Sequence, residues 1–334
     1  MLSGPQLACR RCISGNYALF CVYSFSNLFI FFNCSLYYIR FHDSNTFLLF
    51  QSKPAVCEDA RGFIHSINIF AGEPQTEQLP MIFALMRQGD TEDYINLFEG
   101  LKRAFCEEGL PCCPHSFTID YEAAVWEALK ICFPTATLNG NAFHWARCLQ
   151  GKWENLSLQT LPSANGLLRR IYMWSQTLQY LPERLVLGSF KNIKKVAEVF
   201  PENHQVHNYL KYLLDTWIQS AVHPPSTWCQ GRSVPKPKDE MEVWHRRFNV
   251  RMKPQPAFYH FVEKVYAELV QTREKLQSGD FRENAGRTND TKAALEDLWQ
   301  QHQRGLPLID LMDNIARLFG YKSAVRQARE RREE

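Results

Sequence analysis

The sequence lacks a strong excess of charge of either sign. Its 334 residues carry 38 lysines and arginines against 35 acids, a formal net charge of +3 at pH 7. So mild a charge does not by itself indicate nucleic-acid binding, and any such argument must rest on local clusters. With 45% hydrophobic residues, the chain can form a sizeable core and about two domains, which excludes a disordered polypeptide.

A regular cysteine framework is also missing. The eleven cysteines are odd in number and irregularly spaced, which favours a reducing compartment over a disulfide-rich secreted scaffold. Cys9 and Cys12 have the spacing of half a zinc site, but no second such pair follows at a finger-like distance. The sequence therefore gives little support for a structural zinc module, and it contains no internal repeat.

Charged residues are absent altogether between Arg11 and Arg40. Residues 17–39 are mostly aromatic and aliphatic and are long enough to span a bilayer. Polar residues interrupt this run and weaken membrane insertion; they are Ser24, Ser26, Asn27, Asn33 and Ser35. Three interpretations are open: a membrane anchor, a pair of buried strands, or an appended stretch without a role in the fold.

Strand and helix patterns alternate after residue 60. Apolar runs predict strands at residues 62–70, 79–86, 116–119 and 135–138. Helical periodicity predicts helices from about Thr91, after Asp120 and at residues 143–149. Thr91 or Asp90 is expected to cap the first of these helices. This order predicts an α/β core.

Helical patterns dominate the rest of the chain. Residues 155–221 have apolar side chains at helical intervals, and a loop rich in proline follows at residues 223–238. A helix is predicted at residues 239–251, with Glu242 just off its apolar stripe. After residue 257 the chain is predicted to be helical again, with a break around residues 278–289.

Asp120 is the most informative single residue, because it ends a strand and precedes a helix. In open α/β sheets, catalytic and binding groups gather outside the carboxyl ends of the strands. The competing interpretation is that Asp120 merely caps the helix that follows, as aspartate often does.

Basic residues form two local clusters. One runs from Arg169 to Lys195, with six basic residues and one acid. The other lies between residues 223 and 256, with seven basic residues and three acids. Such clusters fit contacts with phosphates, and they fit ordinary solvated surfaces equally well.

An ordered set of short motifs resembles one known family. The motifs are LPMIFALM at residues 79–86, TEDY at 91–94, TIDYEAA at 118–124, FP at 133–134, FH at 143–144 and EVWHRRF at 242–248. In sequence and in order, they resemble the transposase domain of Mutator-like elements (MULE). The resemblance covers the chain from about residue 60 to beyond residue 270.

The resemblance implies a ribonuclease H-like core with a helical insertion at about residues 155–221, before the last core helix. It also implies DNA strand cleavage and transfer at a site where two Asp and one Glu hold two divalent cations, Mg²⁺ or Mn²⁺. Two such ions suit an in-line displacement at phosphorus, and carboxylate oxygens are the ligands they prefer. Asp120 matches the second Asp of the family, and Glu242 matches the Glu. The resemblance further implies that DNA is the partner and that the nucleus is the compartment. Association between copies of the chain is left open.

This chain departs from the family pattern at the first Asp. Asp59 lies at a suitable distance before Asp120 but lacks the Asp-Gly-Thr-Phe-like motif, whereas Asp43 has a more similar context and lies too far upstream. Asp59 is thus a candidate for the first Asp on its distance alone. The family's Cys before the Phe-x-His motif is Asn141 here. His144 and His245 are further candidates for the site.

The missing first carboxylate points to an incomplete or decayed copy, so a non-catalytic nucleic-acid-binding protein derived from a transposase is the alternative. Glu242 likewise has an alternative role, as a solvated helix residue that pairs with Arg246 one turn later. The predicted organisation is an atypical hydrophobic segment at residues 1–57, the transposase-like domain at 58–253, and a helical region with a charged tail at 254–334.

Overall fold

The structure of the protein is a computed structural model. It describes strands at residues 20–25, 28–33, 46–52, 65–71 and 79–86, together with residues 89–107, 112–158, 166–229, 244, 246–248, 250, 258–278 and 286–319. These residues form an α/β structure that is divided into two compact units.

The described strands are β1 (Phe20–Phe25), β2 (Leu28–Asn33), β3 (Thr46–Ser52), β4 (His65–Ala71), β5 (Leu79–Met86), β6 (Ser116–Ile119) and β7 (Thr137–Gly140). They belong to one seven-stranded sheet with the order β1-β2-β5-β4-β3-β6-β7. Along this order each strand from β1 to β3 pairs antiparallel with the next, and β6 pairs parallel with β3. The sheet is therefore mixed.

Helices make up most of the remaining described residues. They are α1 (Thr91–Glu107), α2 (Ala123–Cys132), α3 (Ala142–Asn155), α4 (Gly166–Thr177), α5 (Glu183–Ala197), α6 (Gln205–Leu213), α7 (Pro225–Trp228), α8 (Phe258–Ser278), α9 (Gly286–Gln303) and α10 (308–319). A 3₁₀ turn follows α4 at Leu178–Tyr180, and a π-helical turn follows α6 at Leu214–Ile218. Residues 244, 246–248 and 250, called here the 244–250 segment, are also helical.

Several predicted elements are confirmed. The strand predicted at residues 79–86 is β5, and the helix predicted from Thr91 is α1. The side chain of Asp90 accepts a hydrogen bond from the backbone N–H of Asp93 at 2.9 Å, so Asp90 is the cap of α1. Periodicity was a reliable guide here because these elements are long and strongly patterned.

The apolar run at residues 17–39 contains a pair of strands. β1 and β2 form an antiparallel hairpin, and β2 continues into the sheet by pairing with β5. Their backbone therefore follows the strand interpretation among the three left open. None of the described helices is long and apolar enough to cross a membrane.

The first unit, residues 1–139 and 238–284, contains strands β1–β6 and residues 137–139 of β7. Its main core lies where α1 and α2 pack with β6, and three phenylalanines meet at its centre. The ring centroid of Phe117 lies 5.1 Å from that of Phe133 and 6.5 Å from that of Phe98. Because α1 and α2 each bury one apolar face here, they fix the position of the chain that leaves β6.

The second unit, residues 140–237 and 285–334, is helical in the part that the structure describes. Tryptophans dominate its core. The ring of Trp145 stacks on that of Trp228, with 5.0 Å between centroids, and meets the edge of Trp217 at 6.0 Å. Such large buried rings hold the short helices of this unit together.

The helical stretch predicted at residues 155–221 lies within this second unit. The chain enters the unit near residue 140, leaves it near residue 237 and enters it again at residue 285. The domain boundaries predicted at residues 57/58 and 253/254 stay predictions.

Candidate functional site

Asp120 directly follows the last residue of β6, where the chain leaves the sheet. β6 runs parallel to β3, with Leu48 opposite Thr118. Because parallel strands end at the same edge of a sheet, the carboxyl end of β3 and Asp120 share one edge. The side chain of Asp120 is partly buried.

The capping interpretation of Asp120 is wrong. Helix α2 begins at Ala123, and its cap position is occupied by Glu122, whose side chain makes no capping hydrogen bond. Asp120 precedes this cap position by two residues. Its backbone carbonyl instead accepts a hydrogen bond of 2.7 Å from the indole N–H of Trp126, a fully buried residue of α2.

A buried tyrosine lies among the acids at this edge. The hydroxyl of Tyr94, on α1, donates a hydrogen bond of 3.1 Å to Oε2 of Glu122. Burial raises the pKa of Tyr94 well above its ordinary value, and the negative charge and hydrogen bond of Glu122 raise it further. The charges of Asp93 and Asp120 also raise this pKa, to a smaller extent.

A second contact joins α1 to α2 nearby. The hydroxyl of Thr91 donates a hydrogen bond of 3.1 Å to Oε2 of Glu127. The edge thus combines Asp120 with an acid-and-hydroxyl network that the sequence did not single out. Glu122 and Tyr94 were visible in the TIDYEAA and TEDY motifs, but the hydrogen bond between their side chains was not predicted.

The strand beside β6 carries no acid. β3 has the sequence TFLLFQS, without Asp or Glu. Extending the observed register by two residues places residue 50, a phenylalanine, opposite Asp120. Asp59, Asp43, Glu242 and His245 lie outside the described residues. Within the described ranges, no three His, Cys, Asp or Glu side chains form a group that could hold a metal ion.

The polar residues of the FH motif region have local roles in the second unit. The side chain of Asn141 caps α3 by accepting a hydrogen bond of 3.0 Å from the backbone N–H of Phe143. Burial lowers the pKa of His144 to about 4, and the positive charge of Arg147 contributes to the shift. The imidazole of His144 is therefore uncharged at neutral pH.

The 244–250 segment packs in the first unit, the one that contains Asp120. The ring of Phe83, on β5, lies 5.7 Å from that of Trp244 and 6.2 Å from that of Phe248. Glu268 of α8 is almost fully buried and accepts hydrogen bonds from Trp244 at 2.8 Å and from Arg247 at 2.9 Å. These contacts fix residues that follow Glu242 by two to six positions.

No protein-family model and no curated protein sequence matches this chain.

Proposed function

We propose that this chain is a MULE-type transposase-derived protein that acts on DNA. The activity proposed is strand cleavage and transfer at a carboxylate site that includes Asp120 and Glu242. The observation that carries the proposal is the position of Asp120 at the carboxyl end of β6, a short strand parallel to its neighbour β3.

The order of the strands supports the proposal. Three consecutive strands, β3, β4 and β5, pair antiparallel, and β6 extends the sheet on the other side of β3 in the parallel direction. Because parallel strands end at the same edge of a sheet, this arrangement brings the chain that leaves β6 beside the end of β3. The acid that follows β6 is then the second carboxylate of the proposed site.

The course of the chain gives further support. After the helical stretch between residues 140 and 237, residues 238–284 belong again to the unit that contains β3–β6. The 244–250 segment lies against Phe83 of β5 within that unit. This order is what a helical insertion before a last core helix would produce.

The ligand set for divalent cations is incomplete in the part of the chain that the structure describes. Asp120 is the one residue of the proposed set found there, and β3 supplies no acid. If Mg²⁺ or Mn²⁺ binds, it would supply an activated oxygen nucleophile and would stabilise the leaving oxygen. The residues of this chain that we assign to it are Asp120 and Glu242, with Asp59 as a weaker third.

The acid-free strand favours a second candidate function, a non-catalytic nucleic-acid-binding protein derived from a transposase. In that case the basic clusters at residues 169–195 and 223–256 contact phosphates, and the carboxylates have no catalytic role. Both candidates place the protein with DNA in the nucleus, and both predict binding that weakens as salt increases.

A nuclease assay separates the two candidates. Purified full-length protein is incubated with labelled duplex DNA in Mg²⁺ or Mn²⁺, beside the variants Asp120→Asn and Glu242→Gln. For the catalytic candidate we expect cleavage by the unmodified protein and a loss of at least about 100-fold in each variant, as is typical when a group that stabilises the transition state is removed.

Glu127→Gln is the matched control. Glu127 is an exposed acid on α2, and glutamine can still accept the hydrogen bond from Thr91. This variant should retain the cleavage rate of the unmodified protein. An unmodified protein that binds DNA without cutting it would reject the catalytic candidate and support the non-catalytic one.

A further inference from the structure

Helix α5 has one buried face and one exposed basic face. The buried residues are Val186, Ser189, Phe190, Ile193 and Ala197. Other side chains of α5 are exposed, among them Arg184, Leu187, Lys191, Lys194 and Lys195. Because the apolar side packs into the second unit, the exposed side has a fixed orientation on the surface.

The basic side chains on α5 form a line. Arg184, Lys191 and Lys195 are seven and four residues apart, which at about 100° per residue keeps them within about 40° of one another around the helix axis. They extend over about 16 Å at 1.5 Å per residue. Lys194 lies at the side of this line, and Glu183 and Glu198 flank the helix at its two ends. We call these four basic residues the α5 basic face.

The α5 basic face is not neutralised within the described residues. No carboxylate in those ranges lies within ion-pair distance of Arg184, Lys191, Lys194 or Lys195. Arg170, on the neighbouring helix α4, is different. Its guanidinium pairs with the carboxylate of Asp313 and lies 4.5 Å from the ring centre of Trp174, so it has a structural role.

Favourable interaction with the helix dipole accounts for only some of the positive charges on the α5 basic face. Lys194 and Lys195 lie in the last turn, where a positive charge interacts favourably with the helix dipole. Arg184 lies in the first turn, where a positive charge is unfavourable, and Lys191 lies between the two ends. The stability of the helix therefore gives no reason for a cation at Arg184 or Lys191.

We propose that the α5 basic face binds the phosphate backbone of duplex DNA without reading its sequence. The choice of DNA as the partner rests on the function proposed above. One strand of a duplex carries a phosphate about every 3.4 Å along the axis, so a line of 16 Å faces roughly five phosphates. Lysine and arginine side chains bind these phosphates and release condensed counterions, which makes the binding dependent on salt.

The test compares two triple variants that remove the same number of positive charges. The first replaces Lys191, Lys194 and Lys195 by glutamine. The second, a control, replaces Lys130, Lys211 and Lys292, which are exposed on α2, α6 and α9. Binding of a short fluorescent duplex is measured by anisotropy over a series of salt concentrations, with EDTA present so that cleavage does not interfere.

We expect the first triple variant to bind at least about tenfold more weakly, with a slope of log K against log salt that is shallower by about 2–3. The control variant should bind as the unmodified protein does. Equal losses in both variants would indicate binding through net charge alone and would reject the proposal, as would an unchanged first variant.

Arg184→Gln is a further variant that separates binding from folding. Because Arg184 opposes the helix dipole, its replacement should leave the thermal unfolding temperature unchanged or slightly higher, while DNA binding weakens. Unchanged DNA binding by this variant would remove Arg184 from the proposed face. Binding to vesicles rich in phosphatidylserine that depends on the same lysines, with no DNA binding, would also overturn the proposal.

These outcomes are independent of the nuclease assay. Glu127→Gln should bind the duplex as the unmodified protein does, because this exposed acid of α2 lies neither on the α5 basic face nor in the proposed catalytic set. Binding that depends on Lys191, Lys194 and Lys195 without any cleavage would support this inference and reject the catalytic candidate. If the triple replacement left both cleavage and DNA binding unchanged, the result would reject this inference and support the catalytic candidate.

Discussion

At the scale of single residues, the edge beyond β6 is organised by hydrogen bonds to buried aromatic side chains. Trp126 fixes the backbone at Asp120, and Tyr94 fixes the side chain of Glu122. A buried hydroxyl would lose its water partners without compensation, so the Glu122 carboxylate stabilises Tyr94. Glu122 is therefore engaged by a protein partner, and its position depends on α1 as well as on α2.

This edge was only partly predictable from the sequence. A strand that ends on an acid was visible in the sequence around Asp120, because the local pattern encodes both features. The bond between Tyr94 and Glu122 joins residues 28 positions apart, and no local pattern specifies such a contact. The capping interpretation of Asp120 failed because helix α2 begins three residues later, at Ala123. Helical periodicity does not define the exact first residue of a helix.

His144 provides a prediction on pH. Its pKa is lowered from 6.5 to about 4 in the folded protein, so between these values the unfolded chain binds a proton that the folded chain does not. The stability that neutral His144 contributes is complete above about pH 6.5 and is lost as the pH falls towards 4. The loss is up to about 3 kcal/mol in the free energy of unfolding, at 1.36 kcal/mol for each unit of pKa.

The measurement is urea unfolding between pH 7 and pH 4.5. We expect the stability difference between the unmodified protein and His144→Gln to shrink by about 1–3 kcal/mol over this range. His115→Gln, which replaces an exposed histidine, is the control. A difference that stays constant with pH would show that His144 does not titrate in this way.

At the scale of elements, the strands and helices themselves were more predictable than their pairing. β5 and α1 follow from strand and helix periodicity in their own residues. β3 was not predicted, and its parallel partner β6 is distant in sequence. Sheet order depends on such non-local pairs, so it could not be derived from the pattern. The π-helical turn at Leu214–Ile218 also gave no recognisable signal.

The 244–250 segment and α8 are joined by one buried acid, Glu268. Its side chain accepts hydrogen bonds from the indole of Trp244 and the guanidinium of Arg247. In the variant Glu268→Ala, Trp244 would keep a buried donor without this partner, while the partly exposed Arg247 could turn towards water. We expect a loss of about 1–3 kcal/mol in the free energy of unfolding.

Glu268→Gln should be less destabilising than Glu268→Ala, since the amide oxygen can still accept both hydrogen bonds. Glu263→Ala is the control, because Glu263 is a well-exposed acid on the same helix. The free energy of unfolding of Glu263→Ala should stay within about 0.5 kcal/mol of that of the unmodified protein. Chemical denaturation measures all three variants, and equal losses at Glu268 and Glu263 would refute the anchoring role of Glu268.

At the scale of the whole molecule, the two units are discontinuous in sequence. Each contains its own set of fully buried residues, with phenylalanines prominent in the first unit and tryptophans in the second. The alternation of strand patterns with helical patterns predicted two kinds of structure. It could not predict that residues 285–319 belong with residues 140–229, because that grouping again depends on long-range contacts.

Separate cores lead to a prediction about unfolding. Leu97 of α1 and Leu149 of α3 are both fully buried, one in each unit. Replacing either by alanine leaves a cavity and should cost about 2–5 kcal/mol. Because the two leucines lie in different cores, each replacement should mainly weaken its own unit.

Hydrogen exchange measured by mass spectrometry tests this directly. Leu97→Ala should accelerate exchange in peptides from α1 and α2, and Leu149→Ala in peptides from α3 and α6. Ile131→Ala, at an exposed position of α2, is the control and should change neither set. If each leucine replacement accelerated exchange equally in both sets of peptides, the two units would unfold as one cooperative body, and the division by cores would carry no energetic meaning.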